Sequence, residues 1–250
     1  MKYFKTFETH SDYESYINGG GVVYPNVSVC EDDKDYDLHI NDIGTIGTYV
    51  EIAGTKWSTK NIGALTITDY GKYFAWGDIS GYTPDQVGSG EGQKYFAWAD
   101  YKYNDGTADP TAENMTKYNE TDGLRVLELS DDSAFAAWGG KWRIPTREQF
   151  AALGTATTSA YTNNYMGSGV KGIVLTDKTD SSKKLFFPAA GFAREGTMNQ
   201  VNNYGYYRGR TLSSRILNPY DLYFTTSYTV WGNDGSYRRT GFTIRPVLDE

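Results

Sequence analysis

YGYYRGRTLSSRILNPYDLYFTTSYTVWGNDGSYRRTGFTIRPV, residues 204–247, is the stretch whose reading decides the fold. Read as strands, it alternates in two places. Leu222 and Phe224 share one face with Asp221, Tyr223 and Thr225 on the other, and Phe242 and Ile244 oppose Thr243 and Arg245. In each run one face suits a core and the other is free to bind. Gly232-Asn233-Asp234-Gly235 lies between the runs and offers the positive φ angles of a tight reversal, so the last two strands are expected to form a hairpin. The stretch is then expected to end inside a sheet.

Six of the chain's ten arginines fall here (Arg208, Arg210, Arg215, Arg238, Arg239, Arg245), with none of its fourteen lysines and no Glu, Gln or Met. Seven tyrosines are interleaved with them. Tyr and Arg give stiff amphipathic area and forked hydrogen bonding at modest entropic cost, which is why binding surfaces enrich them. The alternative is a polar, solvated sheet face on which Tyr serves strand propensity.

Working outward, 250 residues suffice for one large domain or two small ones, either able to bury a core. A net charge of −7 and a pI near 5.0 argue against nucleic acid or an anionic membrane surface as partner. With 16% aromatic residues and 28 glycines the chain reads as rich in strands and loops. Cys30 is alone, so no intrachain disulfide forms. No apolar run approaches the roughly 18 residues that span a bilayer, so no membrane insertion is expected. The leading MKYFKTFETHSDYESYINGG places charges where a secretory peptide has its apolar core, and no export signal is read there. Residence on a virion or extracellular surface, after cytoplasmic synthesis and release by lysis, remains compatible.

Residues 1–48 read as a separate module, with a helical piece at Tyr13–Ile17, a break at Gly19-Gly20-Gly21, a strand at Val22–Val29 and an acidic patch at Glu31–Asp37. Asp33, Asp35 and Asp37 have the alternate spacing of a calcium loop, but Leu38 stands where the sharp turn needs Gly, so a solvated turn is expected. From Tyr49 VEIAGTKWSTKNIG reads as an alternating strand with a turn at Gly54. Residues 77–92 predict a surface loop, and FAWAD at Phe96–Asp100 echoes FAWGD at Phe74–Asp78 without making a repeat. Ser130-Asp131-Asp132 caps a helix through Ala137 that stops at Gly139-Gly140. Thr146 with Gln149 forms a capping box for a second helix ending near Gly154. Trp142–Thr146 predicts a strand between them, and Val170–Thr176 pairs with Lys184–Phe192.

GKWRIPTREQFAAL, FFPAAGF at Phe186–Phe192, GYYRGRTL at Gly205–Leu212 and GFTIRPV at Gly241–Val247 together resemble the Fibrobacter succinogenes major paralogous domain group. That group is related to the formylglycine-generating-enzyme type of C-type lectin fold. The resemblance covers Tyr49–Val247 and implies an α+β, C-type-lectin-like domain over residues 49–250, in which WRIPT and the final RPV pin the core. It also extends to variable proteins of diversity-generating retroelements, of the major tropism determinant type. In those, adenine randomisation turns Asn codons into Tyr, Ser, Asp or Arg codons but not into Lys, Glu, Gln or Met codons. Residues 204–247 carry the same omissions and are expected to be the variable region. Arg208-Gly209-Arg210 stand where relatives often have Trp-Ser-Ser, and Trp231 cannot come from such a codon, so some positions are fixed. Residues 1–48 resemble leading segments of structural proteins of gut Bacteroides-type phages, which implies an anchoring or homo-oligomerising module.

Catalysis is not expected. The aerobic formylglycine-generating type needs paired cysteines for copper, and this chain has only Cys30. His10 and His39, both in the first module, leave the main domain without a His-based triad or multi-His metal site. Asp131 and Asp132 read as helix N-terminal charges. Trp231-Gly232-Asn233-Asp234 resembles the Trp-Asn-Asp signature of calcium-dependent lectins, but Gly232 interrupts it and no Glu-Pro-Asn partner is present, so no metal or cofactor is expected. The reading is a non-catalytic binder of a protein or glycan on a bacterial surface, a phage receptor-binding protein. Its expected contacts are Arg208, Arg210, Ser214, Arg215, Asn218, Tyr220, Asp221, Tyr223, Tyr228, Trp231, Asn233, Tyr237, Arg238 and Arg239. The alternatives are a structural or adhesin subunit that assembles through the same surface, or a calcium-dependent lectin. Trp142, Ile144, Phe187, Phe242 and Ile244 are the expected core.

Overall fold

The computed structural model describes residues 40–41, 45–46 and 49–249. The chain divides into two units, Met1–Thr48 and Tyr49–Glu250. In the first, β1 (Ile40–Asn41) and β2 (Thr45–Ile46) form an antiparallel pair. The expected helix and strand of residues 13–29, the acidic patch at Asp33, Asp35 and Asp37, and His10, Cys30 and His39 lie outside the described residues.

The second unit is mostly β-sheet with few helices, compatible with an α+β domain. β3 (Tyr49–Ile52) and β4 (Thr55–Ser58) form a hairpin about the expected Gly54 turn, with Ala53 and Gly54 at φ 53° and 73°. β5 (Trp142–Arg143) follows α1 (Ser133–Trp138). The Asp132 side chain caps α1, accepting from the amides of Ala134 and Phe135, and Gly139 ends it. α2 (Arg147–Ala156) starts at the Thr146/Gln149 capping box. Next come β6 (Thr157–Thr162), β7 (Gly172–Asp177) and β8 (Lys184–Pro188), an antiparallel sheet in chain order. β9 (Phe192–Arg194) and β10 (Thr197–Asn199) make a short hairpin, and β11 (Gly205–Leu212), β12 (Pro219–Phe224) and β13 (Thr229–Asn233) a third sheet. β14 (Val247–Leu248) inserts between β4 and β5, so the stretch does end inside a sheet.

Two apolar clusters support this. Phe150 and Leu153 of α2 pack with Ile52, Trp57, Ile173, Leu175, Phe187, Tyr207, Leu222, Phe224 and Val247, where the sheets meet the helix. An aromatic cluster of Tyr73, Phe74, Trp76, Phe96, Trp98, Tyr101, Tyr118, Trp138 and Trp142 fills the loop-rich half. All five expected core residues are buried.

The expected C-terminal hairpin is not formed. β12 turns into β13 through residues 225–228, where the Thr225 hydroxyl accepts from the amides of Ser227 and Tyr228. Gly232 lies inside β13, beside a register shift, at φ 91°. Residues 237–245 cross over the third sheet instead, bridging to Phe74, Ala193 and Tyr207. Both faces of that run are therefore covered: Thr243 and Arg245 are as buried as Phe242 and Ile244.

The structural counterpart of FAWAD is also not FAWGD. Phe96 and Tyr118 both take positive φ, and in each case an aspartate four residues on, Asp100 or Asp122, accepts from the amide of the aromatic residue and the next. Arg239 donates to the Phe96 carbonyl and Arg238 to the Tyr118 carbonyl. Two neighbouring arginines thus hold two like loops.

Candidate functional site

The third sheet sorts its side chains by strand alternation. Tyr207, Leu222 and Trp231 lie side by side across the three strands, on the face toward α2. Trp231 lies on the helix at Gly154, where a Cβ would come within 2.5 Å of the indole. The opposite face carries Tyr206, Tyr223 and Val230, again side by side. Along that face the next pair is Arg208 and Asp221, and the crossing segment covers it. The Arg208 guanidinium lies 4.0 Å from the Phe242 ring centroid and donates to the Thr240 carbonyl. At the other end Tyr228 and Val230 are exposed, while Tyr204, Tyr206 and Tyr223 are half-buried.

That end is a strip of rings. Tyr206 and Tyr223 stack with centroids 4.7 Å apart, and Tyr228 and Tyr204 meet Tyr223 edge-on at 5.9 and 6.2 Å. Phe192 of β9 meets Tyr206 at 5.1 Å, and Phe242 borders it at 5.0 Å. Tyr228 is 55% exposed and Val230 36%. Burial raises the Tyr223 phenol, and the neighbouring Tyr228 and Tyr206 phenols raise it further, so it stays a neutral hydroxyl at physiological pH.

Three charged expected contacts are interior. Arg208 and Asp221 form an enclosed ion pair at 2.9 Å, and burial pushes the Asp221 carboxyl up to about 7 against the pull of Arg208. Arg238 donates to the carbonyls of Lys117 and Tyr118 and lies over the Trp76 ring. None of the three is open to a ligand, because the forked donor that suits a ligand carboxylate here meets backbone carbonyls or a buried partner. Asn218 is buried as well, its amide and carbonyl tied to Arg215 and Ser213.

The remaining contacts do not form one surface. Tyr223 and Tyr228 belong to the open strip. Tyr220 lies under the exposed Arg147 guanidinium at 4.5 Å, on the α2 side with Trp231. Ser214 and Arg215 are exposed, with Arg215 Nε 3.8 Å from Asp234, and Asn233 ends β13 half-buried. Tyr237, 44% exposed, packs on Trp98, with Arg239 between them and Glu195. Arg210 pairs with Asp249.

The strip also gathers Tyr204, Tyr206, Val230 and Phe192, which sequence reading did not place among the expected contacts. The signal for Tyr206 was available once β11 was paired with β12, since that register sets it opposite Tyr223. Among the described residues no group of three or more His, Cys, Asp and Glu is placed to hold a metal ion. No helix of the described residues is long and apolar enough to cross a membrane. Comparison with models of known families, with curated proteins and with solved structures finds no match to this chain.

Proposed function

We propose that the chain is a non-catalytic, C-type-lectin-like binding protein. Its C-terminal sheet face, varied by a diversity-generating retroelement, recognises a protein or glycan on a bacterial surface, while residues 1–48 anchor it to a phage particle. The observation that carries this reading is the open strip of Tyr204, Tyr206, Tyr223 and Tyr228. Stability alone does not require four phenols gathered on a face whose other end the chain takes the trouble to cover. Rings of this kind supply large contact area with few torsions to freeze. The residue omissions of 204–247 support diversification independently.

The test is attachment of labelled full-length protein to a panel of gut Bacteroides strains. Tyr223→Ala with Tyr228→Ala should cost no more than about 2 kcal/mol of stability and abolish attachment. Full attachment by that variant would refute the reading. Adjacent DNA should also hold a near-copy of the coding segment with adenines at the varied positions, beside a reverse transcriptase.

A further inference from the structure

We propose that the tyrosine strip takes a carboxylate-bearing saccharide, a uronic- or sialic-acid class of sugar, whose carboxylate is held by Arg194. This rests on the binding function proposed above and names the ligand class for the same face. Within β9, Phe192 and Arg194 are two residues apart and share a face, with Ala193 between them turned into the core. The Arg194 guanidinium lies 5.5 Å from the Phe192 ring centroid, and Phe192 meets Tyr206, so the cation stands at one end of the aromatic run.

Arg194 is exposed and makes no side-chain hydrogen bond or ion pair with the described residues. That sets it apart from the arginines of the C-terminal stretch. Arg208, Arg210 and Arg239 are paired with carboxylates, Arg238 and Arg245 are spent on interior acceptors, and Arg215 faces Asp234. The neighbouring Glu195 does not neutralise it, because its carboxylate is turned to Arg239 at 2.9 Å. An unengaged fork beside a cluster of phenols that presents ring edges and hydroxyls complements a ligand that joins a carboxylate to a ring with an apolar face and a hydroxyl rim. A pyranose acid has that combination. A peptide strand would be expected at the unpaired edge of β13, whereas the strip occupies the face of the sheet.

The experiment titrates full-length protein with sialyl and uronate oligosaccharides, each paired with its methyl ester, which keeps the ring and removes the charge. Wild type should bind at least one acid roughly tenfold or more tighter than its ester. Arg194→Gln should erase that preference, bringing acid and ester to about the same affinity, with melting unchanged. Equal binding of acid and ester, or an acid preference that survives in Arg194→Gln, overturns the proposal. So does the absence of any saccharide binding by a protein that attaches to cells through Tyr223 and Tyr228, and that outcome leaves the broader reading standing with a different ligand. Attachment that survives loss of both tyrosines removes the broader reading as well.

Discussion

Arg245 is fully enclosed, yet it faces no carboxylate among the described residues. Its guanidinium donates to Asn61 Oδ1 at 2.8 Å and to the carbonyls of Ser58, Thr59 and Phe186, and it lies 4.5 Å from the Phe187 ring centroid. Burial pulls its pKa down to about 10, so at neutral pH the charge remains and must be met by these acceptors. Lysine offers three donors and no plane. Arg245→Lys should therefore lower stability by about 2–4 kcal/mol, read from denaturant melts, while Arg215→Ala on the surface should stay within about 0.5 kcal/mol. The arginine bias of residues 204–247 was legible and its meaning was not, because the same fork serves a ligand or an interior carbonyl, and only tertiary placement separates Arg245 from Arg215. Asp131 carries a pH consequence. Burial pushes its carboxyl up, but hydrogen bonds from Lys102, Lys117 and Tyr118 outweigh that and hold it well below the usual carboxylate range. With the folded value depressed, its stabilisation is complete above about pH 4 and is lost as pH falls below that. Asp131→Asn should be less stable at pH 7 and show a shallower loss of stability on acidification.

At the scale of elements, α2 and the third sheet meet through Gly154. Alanine would ordinarily gain about 1 kcal/mol of helix propensity at such a position. Here its methyl would meet the Trp231 indole at 2.5 Å, and displacing a packed ring costs about 1–3 kcal/mol. Gly154→Ala should thus give no gain or a net loss, with a red shift of Trp231 fluorescence as the indole moves into water. Both helices were readable because capping is local: Asp132 and Thr146 with Gln149 act within one turn. The last hairpin was misread because Gly232-Asn233-Asp234-Gly235 has the stronger turn composition. The chain turns at Thr225-Thr226-Ser227-Tyr228 instead, where a threonine hydroxyl does the work of a glycine and the flanking registers decide.

Across the whole second unit, β14 is the piece on which the four-stranded sheet depends, lying between β4 and β5 with Val247 fully buried. A chain stopped after Pro246 loses a buried valine, about 1.5–3 kcal/mol, together with ladder bonds on both sides. Against a total of about 5–15 kcal/mol this should abolish cooperative melting, whereas stopping after Leu248 removes only the half-exposed Arg210–Asp249 pair and nearby contacts and should leave a two-state transition. The burial of this strand was foreseeable from its apolar ending; its neighbours were not, since pairing partners so distant in sequence leave no local trace. The same placement orders events during synthesis. While β4 and β5 are already outside the ribosome, nothing yet fills the gap between them, so the nascent polypeptide waits with that seam unzipped. A prematurely terminated product would never close it, and the completed four-stranded sheet is thereby reserved for molecules translated past Leu248.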